Sequence, residues 1–167
     1  GVIPWGELHS KPEHPFTCHE SALHHIFDGG WMYVLHFDNG ITSAGFVVET
    51  LARPNDSWNS LINEFPDIKQ QFKHAKSVMP IVETKRMQRC ASNMVGNNWA
   101  MLPHAAYFVD PLHSSGNAHT LQCIDRLMQC LLSNELSESL QQYESTMHCE
   151  AMLVDQLVHG AYESMED

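Results

Sequence analysis

Asn98-Trp99-Ala100-Met101-Leu102-Pro103-His104-Ala105-Ala106-Tyr107-Phe108-Val109-Asp110-Pro111-Leu112-His113-Ser114-Ser115-Gly116-Asn117-Ala118-His119 is the stretch around which the rest of the chain is read. An apolar run meets Asp110-Pro111, where regular structure should break. Pro111 donates no backbone hydrogen bond, and the residue before a proline is pushed towards extended geometry. Ser114 and Ser115 are good N-cap residues, and Gly116 lets the backbone approach a neighbour closely. Ala118, Leu121, Ile124, Met128, Leu131 and Leu132 then recur at helical spacing, which predicts a helix from about Gly116 to Leu132 with one apolar stripe. The amides of Ser115, Gly116 and Asn117 would point out of its start, where the helix dipole favours an anion or an electron-rich ligand atom. That makes a candidate ligand site. The same pattern also describes a capped helix that packs on a strand and binds nothing.

Upstream, the segment from Ala22 to Glu49 reads as strands. Leu23 to Phe27, Trp31 to Phe37 and Ile41 to Val48 are rich in aromatic and β-branched residues, and Asp28-Gly29-Gly30 and Asp38-Asn39-Gly40 separate them as turns. This predicts an antiparallel three-stranded meander. Alternation puts Trp31, Tyr33 and Leu35 on one face and Met32, Val34 and His36 on the other. Read alone, Trp31 and Tyr33 serve equally as core aromatics.

The remaining segments complete an α+β pattern. Asp56 is placed to cap a short helix through Trp58, Leu61, Ile62 and Phe65, and Pro66 ends it while opening another through Ile68, Phe72 and Ala75. Lys69, Lys73, His74 and Lys76 form the solvated face of that second helix. Ile81 to Thr84, Arg86 to Ser92 and Trp99 to Leu102 read as further short strands, so sheet is expected at 81–102. After Ser133-Asn134, the residues Leu136, Leu140, Tyr143, Met147, Ala151, Val154 and Leu157 describe one long amphipathic helix over 134–163. Residues 1–20 read as a connecting loop. There His9, His14, His19 and His24 recur every five residues, a step that matches neither helix nor strand, so no metal site is expected.

Composition bounds the function. The 167 residues are 43% hydrophobic, enough for a sizeable core in one domain. Twenty acidic residues against nine basic ones give a formal charge of -11, which repels nucleic acid and anionic membrane surfaces. No run approaches the roughly 18 apolar residues of a membrane span. The opening residues have neither the basic region nor the apolar core of a signal peptide. Five cysteines without a C-x-x-C pair indicate no disulfide framework, and Cys123 and Cys130, seven apart on one helix face, are expected as buried thiols. These features fit a cytoplasmic protein.

The segment from Leu102 to Gly116 resembles the second flavin-contacting motif of the flavin-dependent halogenases, the tryptophan type among them, and of related FAD-dependent monooxygenases. In that family a V-D-P-L-x-S-[ST]-G segment leads into a helix. Gly29-Gly30-Trp31-Met32-Tyr33-Val34-Leu35-His36 is similar to the family's W-x-W-x-I-P segment, with Tyr33 at the second Trp and Leu35-His36 at Ile-Pro. Thr42-Ser43-Ala44-Gly45 resembles the T-S-x-G strand that follows it. Pro103-His104 stand where many relatives carry Gly-Asp, and His113 stands where tryptophan-directed members carry an acidic residue.

The resemblance implies that Ala105, Asp110, Pro111, Ser114, Ser115, Gly116 and Asn117 contact FAD. It implies further that Ser115 and Gly116 hold a chloride or bromide, and that Trp31, Tyr33 and His113 lie on the substrate side. It implies one partial domain over 1–167, made of a substrate-side sheet at 20–102, the flavin-contacting motif and helix at 103–132 and the long helix at 134–163. The family's N-terminal FAD-binding G-x-G-x-x-G unit and its catalytic lysine have no counterpart in this sequence. The implied activity is oxidation by reduced FAD and oxygen, halogenating or hydroxylating an electron-rich small organic substrate, with a flavin reductase as partner. The isolated chain is expected to be inactive and prone to self-association through open sheet edges. A binding module that keeps the helix-start pocket without redox chemistry is the competing expectation.

Overall fold

One helical turn, α1 (Trp5–Leu8), and a 3₁₀ turn at Cys18–Glu20 stand where a loop was expected. Trp5 meets the His25 ring edge-on at 4.6 Å, and that contact gives the turn a partner. The computed structural model describes residues 1–8 and 17–165, so His9 and His14 lie outside the described residues.

The meander is present: β1 (Leu23–Phe27), β2 (Gly30–His36) and β3 (Thr42–Val48) pair antiparallel in the order β1-β2-β3. Gly29 and Gly40 make its turns at φ of +74° and +77°, a conformation that strains an L side chain and costs glycine little. Trp31 pairs with Ile26 on one side and Val47 on the other. Met32 and Val34 project from the opposite face and are buried with Ile68 among Phe27, Phe46, Trp58 and Phe65.

Two short helices, α2 (Trp58–Glu64) and α3 (Pro66–Phe72), supply that layer. The cap of α2 corrects the sequence reading. Ser57, not Asp56, accepts from the amide of Ser60 through its hydroxyl, and Ser60 Oγ accepts from the amide of Ser57 at 2.7 Å. This reciprocal pair satisfies two orphan donors one residue nearer the helix. Asp56 instead pairs with Arg53 at 2.8 Å. Pro66 occupies the start of α3 as expected, and Lys69, Lys73, His74 and Lys76 are exposed.

Contacts divide the chain into two compact units, Gly1–Thr84 and Lys85–Asp167. Short strands stand within 81–102 as expected, but each is only two residues long. Ile81 to Thr84 forms no strand, and its Ile81 and Val82 are exposed without a paired neighbour; β-branched residues favour a strand only where a pleated, half-buried surface receives them. Of Arg86 to Ser92, only β4 (Arg89–Cys90) pairs, and β5 (Val95–Gly96) and β6 (Trp99–Ala100) form a minimal hairpin. Leu102 then leaves the extended run to start a helical turn, α4 (Pro103–Ala106), and β7 (Tyr107–Phe108) returns to pair with β4.

The two long helices are α5 (Gly116–Leu132) and α6 (Leu136–Met165). Cys123 and Cys130 of α5 are buried with Tyr143, Met147 and Ala151 of α6, beside Met94, Ala106 and Tyr107. Both thiols are thus where the heptad spacing put them. The expected α5 stripe is not the buried one, however: Leu121 is 68% exposed and Leu131 57%, with Ile124, Met128 and Leu132 also exposed. On α6, Leu136 and Leu157 are exposed and Val158 is buried in their stead. Tyr143 Oη donates to the Met101 carbonyl at 2.8 Å, and Glu144 Oε1 accepts from the amides of Met94 and Val95. These bonds tie α6 to the β5–β6 hairpin.

Candidate functional site

Asp110-Pro111 breaks the chain as its chemistry requires. Asp110 Oδ1 accepts from the Leu112 amide at 2.8 Å, closing an Asx turn, and Oδ2 accepts from Tyr162 Oη at 3.0 Å. Both carboxylate oxygens of Asp110 are therefore engaged in holding the turn against the far end of α6. The Ser114 amide donates to the Pro111 carbonyl, and Ser114 sits at φ +51°, left-handed backbone that a non-glycine residue adopts at a cost.

Ser115 is the residue before α5, yet its hydroxyl makes no capping hydrogen bond. Among the described residues, the amides of Ser115, Gly116 and Asn117 have no protein acceptor. His113, Ser114, Ser115 and Asn117 are exposed, as is Ala105 of α4, whereas Asp110, Pro111 and Gly116 are half-buried. The fold therefore gathers the flavin-side candidates other than Ala105, which lies on α4, on one turn and one helix start. Donors without acceptors at the positive end of a 17-residue helix suit an anion or the electron-rich edge of a heteroaromatic ring.

The surroundings of Gly116 are more specific than its sequence context suggests. A methyl added there would run into the His104 imidazole, Nε2 first and then Cε1 and Cδ2. Gly116 accordingly leaves room for that ring. His104 is anchored through its carbonyl, which accepts from Arg89 Nη2 at 2.5 Å, while its exposed ring points back over the helix start.

A polar chain that sequence reasoning missed lies just behind the turn. Tyr107 Oη is hydrogen-bonded to His119 Nδ1 at 2.9 Å, His119 Nε2 lies 3.7 Å from Glu150 Oε2, and Glu150 Oε1 accepts from Arg126 Nη1 at 2.5 Å. Burial pushes the Tyr107 phenol up to about 12, with the nearby Cys123 and Glu150 adding to it. Burial also raises the Cys123 thiol, so it stays protonated and inert at neutral pH. The chain couples the residue after α4, the first turn of α5 and the middle of α6. The only local signal was a tyrosine and a histidine flanking the motif.

The substrate-side candidates of the first unit are in β2. Trp31 is 1% exposed and stands edge-on to the His24 ring at 4.9 Å; Tyr33, 6.3 Å from Trp31 between ring centroids, is half-buried. Tyr33 pairs with Gly45, and its ring lies across that glycine, where a methyl would meet its hydroxyl at 2.6 Å. His113 belongs to the second unit. Among the described residues, no group of three or more His, Cys, Asp or Glu side chains is arranged to hold a metal ion, and no helix is long and apolar enough to cross a membrane.

No protein-family model matches the chain. Tetracycline 7-halogenase of Kitasatospora aureofaciens is 36% identical over 132 residues, 71% of this chain and 24% of the relative. Monodechloroaminopyrrolnitrin halogenase PrnC of Pseudomonas fluorescens is 29% identical over 159 residues, 86% of this chain and 28% of the relative. The crystal structure of halogenase PltM superposes with a TM-score of 0.90 at 28% identity, covering 99% of this chain and 37% of PltM. PltM in complex with phloroglucinol and FAD gives the same TM-score at 27% identity. The chain spans about a quarter of the length of the curated relatives it matches. By sequence and by fold together, the chain is similar to one segment of halogenases, among them one crystallised with FAD.

Proposed function

We propose that this chain supplies the substrate-side sheet and the flavin-facing helix start of an enzyme that halogenates an electron-rich organic substrate with reduced FAD, oxygen and chloride or bromide. The observation that carries this reading is the superposition on PltM at a TM-score of 0.90 over 99% of the chain, since PltM has been crystallised with FAD and with the phenol phloroglucinol. Ala105, Asp110, Pro111, Ser114, Ser115, Gly116 and Asn117 hold the flavin in this reading, and the amides of Ser115 and Gly116 hold the halide. The fit rests on those amides having no protein acceptor among the described residues. Bound there, FAD supplies the redox chemistry. The protein's own part is to orient it, through the Asp110 turn, and Trp31, Tyr33 and His113 are each substrate-side residues in this reading.

A flavin reductase is the partner for the whole enzyme, and the cytoplasm its compartment. The isolated chain lacks turnover in this reading, and it self-associates through exposed apolar residues such as Leu121, Met128 and Leu131. Titration of the purified chain with FAD, following quenching of flavin and tryptophan fluorescence with and without chloride, tests the proposal. Saturable binding that responds to chloride is the expected result. A folded chain that binds no FAD would refute flavin contact by this segment on its own.

A further inference from the structure

We propose that the cleft between the β4–β7 ribbon and α6 binds a small aromatic carboxylate, at a site that owes nothing to the flavin reading above. A cavity of about 310 Å³ lies there, walled by residues of the second unit alone. That volume is at the lower end of what small-molecule sites occupy. Arg86, Arg89 and His148 bring hydrogen-bond donors to it, and Asp155 is the one carboxylate on its wall. The placing of the arginines marks this cleft out. The chain has four of them, in a sequence with twenty acidic residues. Arg53 is paired with Asp56 and Glu64, and Arg126 with Glu150. Arg86 and Arg89, in contrast, form no ion pair among the described residues, and both line this same cavity.

Arg89 is already held in position. Its Nη2 donates to the His104 carbonyl at 2.5 Å and its Nη1 to the Met87 carbonyl at 3.4 Å, and the guanidinium lies 5.7 Å from the centroid of the Phe108 ring. Carbonyl oxygens fix the guanidinium without neutralising it, so its charge remains available to an oxyanion. Phe108 and Tyr107 stand on the same wall. The Tyr107 hydroxyl is engaged with His119, which leaves its ring as the part that meets a ligand. A flat apolar body with one carboxylate matches both halves of the cleft, its ring against the two aromatics and its oxygens towards the two arginines. A second negative charge on the ligand would be repelled by Asp155, which favours a carboxylate over a phosphate dianion.

The experiment is an amide NMR titration of the full chain with benzoate, beside acetate, which lacks the ring, and benzamide, which lacks the charge. Benzoate should give saturable shifts centred on Arg89, Phe108 and Ala151, with binding that weakens in high salt. Acetate and benzamide should bind about tenfold more weakly or worse, and Arg86→Gln and Arg89→Gln should each weaken benzoate by about tenfold. Arg89 also ties β4 to the His104 carbonyl, so if Arg89→Gln fails to fold, Arg86→Gln decides, since Arg86 has no hydrogen bond or ion pair among the described residues to lose. Shifts centred instead on Ser115 to Asn117, equal binding of acetate or benzamide, unchanged affinity in Arg86→Gln, or no binding by the folded native chain overturns the proposal. The FAD titration is read separately, so the flavin reading can fail while this site stands, and the reverse.

Discussion

Glu144 offers the sharpest test of how the second unit is held together. Its Oε1 accepts from the amides of Met94 at 2.5 Å and Val95 at 3.2 Å, and Met94 is fully buried. A hydrogen bond to a charged acceptor contributes about 1.5–3 kcal/mol, and a buried donor left without a partner costs about 1–3 kcal/mol. The two bonds share one oxygen and the second is long, so they do not add in full; Glu144→Ala should cost about 3 kcal/mol. Glu144→Gln keeps a carbonyl oxygen at the same reach and loses only the charge, for about 1 kcal/mol. Glu144→Asp, one methylene shorter, should behave like alanine. Native-state hydrogen exchange reads the site directly. At about 1.4 kcal/mol per tenfold, protection of the Met94 and Val95 amides should fall roughly 100-fold in Glu144→Ala and Glu144→Asp, and about fivefold in Glu144→Gln. Equal protection in Asp and native proteins, or a Gln variant as exposed as Ala, would refute a carboxylate bridge from α6 to the hairpin.

Three further outcomes follow from named contacts. Tyr107 ionises at about 12 in the folded chain against 10.0 for a free phenol, so the folded state holds the proton longer than the unfolded one. That contribution is intact below pH 10 and is lost as pH rises through about 12; denaturant midpoints of Tyr107→Phe should fall less steeply across that window than those of the native chain. Gly30→Ala sets a methyl 2.5 Å from the Val47 carbonyl oxygen and 3.1 Å from Val48 Cα. Because those are backbone atoms that cannot swing away, the substitution should cost about 2–3 kcal/mol, seen as faster exchange of the β2–β3 amides. Arg53 donates to the Asp28 carbonyl, to Asp56 and, in a two-pronged pair, to Glu64, while its guanidinium covers the rings of Phe27 and Phe65. A lysine reproduces one of these contacts at a time, so Arg53→Lys should lose about 1–2 kcal/mol and the native chain should lose part of that margin in high salt; identical denaturation curves would remove Arg53 as a clamp.

The meander was readable because its information is local. Aspartate and glycine at both turns, with asparagine at the second, and an aromatic, β-branched run between them specify a hairpin whatever packs on it. The Pro66 helix start and the Asp110-Pro111 break are equally local. The strands around 81–102 were not, since a two-residue pairing such as β4 with β7 depends on a partner 17 residues away and leaves no periodicity. The cap of α2 was displaced by one residue because Asp56 and Ser57 are both good caps, and only the fold reveals that Arg53 has claimed Asp56. In the site, the turn was visible as Asp-Pro and Ser-Ser-Gly. Its supports were not: Tyr162 reaches Asp110 from 52 residues downstream. The meeting of His104 with Gly116 depends on the way α4 bends the chain, which no spacing records.

The two faces of α5 show why periodicity and burial part company. Cys123, Leu127 and Cys130 fall on one stripe, and Leu121, Ile124, Met128 and Leu131 on another, so a 3.6-residue period describes both. Hydrophobicity favours the second, with its larger side chains. Across the gap, however, α6 presents Tyr143 and Met147, both buried. Large residues on one helix demand small ones opposite if the axes are to approach at native packing density. The thiols meet that demand, and the Cys130 sulfur also reaches the Ser139 carbonyl at 3.3 Å. A leucine in place of Cys123 would overfill the contact even though it strengthens the apolar pattern. The stripe with the greater apolar area is thereby turned outward, and the side of α5 that the second unit buries is chosen by volume rather than by hydrophobicity.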